Sequence, residues 1–278
     1  MEAMTDPSVK TIERKTGVRS LGLRELWQYR DLFFFLVWRD IKVLYKQTVL
    51  GFGWAILRPV FSMIVFSVVF GRLAKIPSDG IPYPLFSYVA LVPWMYFQTA
   101  MVASSTSLIG GARLISRIYF PRIILPLTPV LAGLVDFGIA LSIVGVLMAF
   151  YGVAPTWSIV VLPILILIMA LFAAGIGVWL SALAAQYRDV KFAMPFIGQL
   201  LMYAAPVVWP VSLIPEKYRL LYGLYPMVGV IDGFRAVLLG GRPIPWDLIS
   251  EATITSLVLF IVGAYVFRKT ERLVADVA

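Results

Sequence analysis

Apolar positions along this chain gather into unbroken runs rather than alternating or recurring on one helical face. One run extends from about Val49 to Phe70, with Arg58 and Pro59 in its early part, and a second from about Pro84 to Leu108 lies inside an uncharged segment from Gly80 to Ala112. Roughly 20 consecutive apolar residues in a helix cross the hydrocarbon of a bilayer. No charged residue occurs between Phe137 and Tyr187, and the turn formers and rings of Tyr151-Gly152-Val153-Ala154-Pro155-Thr156-Trp157 divide that stretch. A third span over about 126–150 and a fourth over 158–184 follow, meeting at an interfacial crossing point. A fifth is predicted over 192–209 and a sixth over 248–267. The pattern is that of an all-α integral membrane protein with six transmembrane helices.

Two segments depart from it. From Leu23 to Gln47 the polar residues Arg24, Gln28, Asp31, Arg39, Lys42 and Lys46 recur at helical spacing, while Leu26, Trp27, Phe33, Phe34, Val37, Trp38, Ile41 and Leu44 fall mostly on the other side. This predicts an amphipathic helix in the membrane interface, with an amphipathic helix packed on a soluble partner as the alternative. Between the fifth and sixth spans, Val211 to Trp246 is too long for a turn and too apolar for a free loop. Pro215 and Pro226 each stand where a short helix begins, and Gly223 and Gly240 where each closes. Two short re-entrant helices are predicted, tolerable in the bilayer where protein or a water-filled cavity surrounds them; the alternative is two helices lying on the outer surface. The chain thus divides into a polar cytosolic tail (1–22), the interface helix (23–47), a transmembrane domain (48–270) and a cytosolic C-terminal tail (271–278).

Composition removes several function classes. Of 278 residues 60% are hydrophobic and only 14% charged, so a soluble fold is excluded. With 0 cysteines and 0 histidines the chain has no disulfide, no Cys/His metal site and no His-based catalytic arrangement. Its net charge of +9 would suggest nucleic acid in a soluble protein, but the distribution says otherwise. Nine Lys and Arg precede the first span, 1 is Arg58 within it, 3 lie in Arg113 to Arg122, 2 in Arg188 to Lys191 and 3 follow Phe267, whereas the other side holds Arg72, Lys75, Lys217, Arg219, Arg235 and Arg242. That bias sets both termini in the cytosol and makes the charge a topological signal. No Gly-Lys pair exists, so the phosphate-cradling loop of an ATPase is absent and any ATP is hydrolysed on another subunit.

Candidate functional positions are few. Asp136, about ten residues into the third span, is the costliest charge, and pairing with Arg58 or another basic residue is the leading expectation, with substrate or ion contact as the other. Trp54, Phe61, Tyr203 and Trp209, on the first and fifth spans, are candidates to line a path along which sugar faces slide against rings, although interfacial belts account for many membrane aromatics. The cytosolic segment Arg113, Leu114, Ile115, Arg117, Ile118, Tyr119, Phe120 and Pro121 joins two spans directly. It suits an element through which an ATPase moves the spans, its arginines facing acidic residues and its apolar side chains filling a cleft; the alternative is a basic anchor on headgroups. Gly229 and Gly233, and Gly175-Ile176-Gly177, are read as helix-packing positions.

Several motifs together resemble one family. Tyr29-Arg30-Asp31-Leu32, the run Arg39-Asp40-Ile41-Lys42-Val43-Leu44-Tyr45-Lys46-Gln47-Thr48 leading into Leu50-Gly51 and Trp54, and Tyr119-Phe120-Pro121-Arg122 with Leu125-Pro126 come first. Tyr187-Arg188-Asp189-Val190, Tyr225-Pro226-Met227 and Gly233-Phe234-Arg235 follow. In this order they resemble the membrane subunits of ABC-2 type polysaccharide exporters. The resemblance implies a homodimer in the cytoplasmic (inner) membrane, paired with two copies of an ATP-binding cassette subunit that carries ATP and Mg, with no cofactor on this chain. It also implies docking of that subunit on Arg113 to Pro121, external gate helices bearing Pro215, Tyr218, Pro226 and Arg235, and a glycan on a polyprenyl diphosphate as substrate. Permeases for a drug or glycolipid, a membrane-bound transferase and an ATP-independent carrier are the competing readings; no Asp-x-Asp motif favours the transferase.

Overall fold

The computed structural model describes residues 23–46, 51 and 53–275, and all regular structure among them is helical. The polar tail 1–22, Gln47 to Leu50, Phe52 and residues 276–278 lie outside the described residues.

The interface segment is two helices, α1 (Leu23–Gln28) and α2 (Arg30–Tyr45), broken once at Tyr29. Leu26, Tyr29, Leu32, Phe33 and Leu36 recur every three or four residues and turn inward, against Leu108, Phe120, Ile124, Val178 and Phe267. A second apolar set, Trp27, Phe34, Phe35 and Trp38, is exposed, with Arg30 over the Trp27 ring and Lys42 over Trp38. One stripe therefore packs on the chain itself, and the open stripe pairs rings with cations as the headgroup level favours.

Among the described residues five stretches are long and apolar enough to cross a membrane: Gly53–Leu73, Tyr83–Gly110, Ile124–Phe150, Trp157–Gln186 and Trp246–Thr270. They contain α3 (Gly53–Phe66, continued as a π-helical turn Ser67–Leu73), α4 (Tyr83–Gly110), α6 (Ile124–Phe150), α7 (Leu162–Gln186) and α11 (Trp246–Ala275), with the short α5 (Ala112–Ile115) between α4 and α6. The centre is α4: 78% of its apolar window is buried against 6% for Gly53–Leu73, because α3, α6, α7 and the shorter helices α8 (Asp189–Ala204) and α10 (Pro226–Leu239) all pack on it. Small residues set these distances. A Cβ added to Gly263 would lie 2.4 Å from the carbonyl oxygen of Gly175, which is how α7 and α11 come together.

The fifth expected span, 192–209, is shorter as a helix than its apolar run. α8 has 16 residues, about 24 Å of helix, where the hydrocarbon core is about 30 Å thick. Pro206 is the cause: the residue before a proline is driven out of the helical region, and Ala205 is extended with ψ 149°. Trp209 consequently sits on irregular backbone beyond the helix.

Next comes the bent pair α9 (Glu216–Gly223) and α10, which meet at 109°. All of Pro226–Leu239 is buried, walled by α4, α7 and α11. A helix lying on an outer surface would keep one face open, so α10 is re-entrant and α9, largely exposed, is the outward limb. Gly229 and Gly233 belong to this packing: a Cβ on Gly229 would come 2.3 Å from the Leu248 carbonyl oxygen.

Candidate functional site

The molecule has two chemically distinct ends. At one, α2 packs beside the ends of α4, α7 and α11; at the other, the re-entrant pair meets the beginnings of α4 and α11.

At the re-entrant end the decisive side chain is Arg235. It is 1% exposed, and its guanidinium donates hydrogen bonds to the carbonyls of Pro206 at 2.7 Å, Val207 at 2.9 Å and Trp209 at 3.2 Å. A longer contact of 3.4 Å runs to the Phe86 carbonyl, and the guanidinium carbon lies 3.5 Å from the Phe86 ring centroid. The reason is local. Pro206 and Pro210 interrupt the helix, so the carbonyls between them lack helical N–H partners in a place without solvent. A guanidinium, with five donors in a rigid fork, satisfies several at once. The predicted gate residues thus divide: Pro226 and Arg235 are buried, Pro226 opening α10 with its absent N–H, while Pro215, which precedes α9, and Tyr218 are exposed.

Beside Arg235 lies a polar cluster that sequence reasoning missed. Asp232, 3% exposed, accepts a hydrogen bond from Arg242 at 2.5 Å, and Arg242 also lies 3.8 Å from Asp79. The Ser212 hydroxyl donates to Asp79 at 3.0 Å, and Arg219 pairs with Asp247 at 3.4 Å. Ser212, Arg219, Asp232, Arg242 and Asp247 line a cleft of about 310 Å³. The available signal was Asp232 and Arg235 one turn apart on an otherwise apolar helix.

The charges placed in the membrane do not pair with each other. Asp136 is half-buried and accepts a hydrogen bond from the Tyr45 hydroxyl at the end of α2. Burial and the Asp136 carboxylate push the Tyr45 hydroxyl well above its ordinary pKa, so it stays protonated and donating. Arg58 is exposed on this chain, its guanidinium 5.8 Å from the Trp54 ring, which corrects the expectation that Arg58 is buried and the leading expectation that Asp136 pairs with Arg58 or another basic residue. A hydroxyl does the work because a single neutral donor satisfies a carboxylate without bringing a second ion into the bilayer.

The ring candidates lie on flanks of α4. Trp54 (46% exposed), Phe61 (61%) and Tyr203 (50%) are open on α3 and α8, whereas Trp209 is half-buried and its backbone carbonyl accepts from Arg235.

At the other end, α5 and the turn after it carry the segment 113–121. Arg113, Arg117, Ile118 and Tyr119 are exposed, Tyr119 at 89%. Leu114 and Ile115 are half-buried under α2, Pro121 is partly covered, and Phe120 at 4% exposure is fixed among Leu36, Ile124 and Leu125. Phe120 is therefore an internal anchor and no longer a candidate to enter a partner's cleft; of the apolar set, Ile118 and Tyr119 are presented outward.

Apolar helices around a fully buried re-entrant limb, with an exposed apolar element on the opposite end, define a polytopic membrane protein. The ABC-2 type transporter family model matches residues 31–239, and the chain belongs to that family. Over 242 residues it is 31% identical to the O-antigen export system permease protein RfbA of Myxococcus xanthus, covering 86% of this chain and 92% of that one. It is 28% identical to the protein of the same name from Klebsiella pneumoniae, over 89% of this chain and 95% of that one. The inner membrane transport permease YadH of Escherichia coli K12 matches at 26% identity over 83% of this chain and 93% of its own. Membership makes this a multi-pass, non-catalytic subunit and implies a partner subunit that binds ATP.

Proposed function

We propose that this chain is the membrane subunit of an exporter of lipid-linked polysaccharide, a glycan on a polyprenyl diphosphate, driven by a separate ATP-binding cassette subunit. The observation that carries the reading is the match to O-antigen export permeases over nine-tenths of their length. Two copies of this chain and two of the ATPase form the working unit in the inner membrane, both termini cytosolic, as the distribution of basic residues supports. The ATPase docks on 113–121; the exposure of Ile118 and Tyr119 beside Arg113 and Arg117 supports this, since unpartnered apolar side chains with basic neighbours fit a cleft of opposite charge. Displacement there passes into α4 and α6 as rigid helices. The open rings Trp54, Phe61 and Tyr203 on α3 and α8, with Trp209 on the backbone that follows α8, form the glycan path, and the re-entrant pair closes its external end.

Reconstitution of the chain with its ATPase tests this. ATP-dependent movement of a fluorescent lipid-linked glycan is expected, with none from the chain alone. Alanine at Trp54, Phe61 and Tyr203 is expected to slow export in a complex that still assembles; wild-type export from all three contradicts the path. Transport of a drug or glycolipid with no movement of glycan favours the second reading, a permease for another amphiphile.

A further inference from the structure

Four segments distant in sequence meet at Arg242, and the chain is built to bring them there. Two successive glycines with positive φ, Gly240 at 66° and Gly241 at 76°, reverse the backbone after α10, a conformation side-chain-bearing residues seldom adopt. The reversal returns Arg242 along its own helix to Asp232, ten residues back, where it bonds both the carboxylate at 2.5 Å and the backbone carbonyl at 3.1 Å. On its other side Arg242 faces Asp79, in the loop between α3 and α4, and Asp79 in turn accepts from Ser212 in the turn after α8. Asp79 itself has φ 50° and Lys75, four residues earlier, φ 52°. Two non-glycine residues in that region of one loop cost energy, and such conformations persist where surrounding contacts over-determine them.

The two sides of Arg242 are unequal. Asp232 has a side chain 4% exposed and a short double contact, so parting it from Arg242 would strand a buried carboxylate. Asp79 has a side chain 31% exposed and stands 3.8 Å away, so that contact exchanges readily for water. One partner is permanent and the other releasable. The geometry points to Arg242 as a positioning residue for the external gate: fixed to the re-entrant limb through Asp232, it holds the outer ends of α3 and α8 shut through Asp79 and Ser212, and that second contact must part for substrate to leave. This rests on the proposed export function. It adds which contact opens, and it places the moving boundary between the limb and the α3–α4 loop rather than within the limb.

A chain with 0 cysteines allows a direct test. Asp79→Cys with Arg242→Cys, which stand on the two sides of the proposed boundary, is joined by a short bis-methanethiosulfonate linker that reductant cleaves, in the chain assembled with its ATPase; joining is scored by gel mobility after protease cleavage between the two sites. Export by the joined form is expected to fall at least tenfold relative to the same protein before joining, and to return on reduction. Full joining with undiminished export overturns the proposal, as does failure of the two cysteines to join. A second pair of variants reads the asymmetry: Asp79→Asn is expected to leave the folded yield intact and raise the leak of small solutes through the complex, whereas Asp232→Asn lowers the folded yield. The reverse pattern also overturns it. Wild-type export is measured in the same vesicles, so loss of the transport function itself and failure of the gate assignment are separate results.

Discussion

Replacing Arg235 by methionine tests whether one buried side chain holds the irregular turn between α8 and the re-entrant limb. The substitution roughly keeps the volume but removes every donor, leaving the carbonyls of Pro206, Val207 and Trp209 unsatisfied away from water. A hydrogen bond to a charged group contributes about 1.5–3 kcal/mol, and a buried carbonyl left without a donor costs about 1–3 kcal/mol. Methionine also removes the cost of burying a cation, which among the described residues has carbonyls rather than a carboxylate as its bonded partners, so the net loss comes to roughly 2–4 kcal/mol. By the usual scaling for chains of this size that is a fall in Tm of roughly 5–15 °C. Arg235→Lys keeps the charge but presents a point donor in place of a fork, and is expected to fall between. The assay is thermal unfolding in lipid nanodiscs followed by intrinsic fluorescence, paired with limited proteolysis across 205–215. If the methionine variant unfolds with the wild type and resists protease equally, the guanidinium is not what holds that backbone.

Ile118→Asp together with Tyr119→Asp is expected to leave insertion intact and reduce co-purification of the ATPase at least ~10-fold, since a buried unpaired carboxylate costs well over ~1.4 kcal/mol; an unchanged yield of complex refutes docking there. Tyr45→Phe leaves Asp136 without its hydroxyl donor and should cost about 1–3 kcal/mol, measured as a lower Tm. The pH dependence follows by linkage: the Tyr45 pKa is raised above its usual 10.0, so the contribution is complete below pH 10.0 and is lost only as pH rises toward the folded value. The gap between wild type and Tyr45→Phe should therefore be flat across neutral pH and narrow only above that point. Gly229→Ala forces a Cβ to 2.3 Å from the Leu248 carbonyl and is expected to cost about 1–3 kcal/mol, whereas Gly138→Ala, with nothing within 4 Å, should be silent in the same unfolding assay.

What could be foreseen from the chain follows from which signals are local. The re-entrant limb was legible because Pro215, Gly223, Pro226 and Gly240 punctuate an apolar segment, and helix ends obey local rules. The shortness of α8 was not, because an apolar run looks the same whether or not Pro206 ends the helix inside it. Arg235 entered only as one of the basic residues of the opposite side and as a gate residue implied by the resemblance; its partners are backbone carbonyls, which carry no mark in a sequence. Tyr45 and Asp136 stand 91 residues apart, and the Asp79–Arg242 contact joins two loops, so neither pairing leaves a periodicity to find. In the docking segment Tyr119 and Phe120 are adjacent and chemically alike, yet one is 89% exposed and the other 4%. Only the position of α2 and α6 decides which turns inward.

The complete enclosure of α10 constrains how the protein is made. Its walls are α4 and α7, which precede it, and α11, which follows it, and Gly229 lies directly against Leu248 at the start of α11. When α10 leaves the ribosome one wall is still missing, and Asp232 and Arg235 cannot settle against lipid while they wait. Arg242, which neutralises Asp232, is also synthesised later. The limb must therefore be held at the interface or in the insertion machinery until the last helix arrives, and a chain stopped before Trp246 would present a limb open along its α11 face to the systems that degrade unfinished membrane proteins.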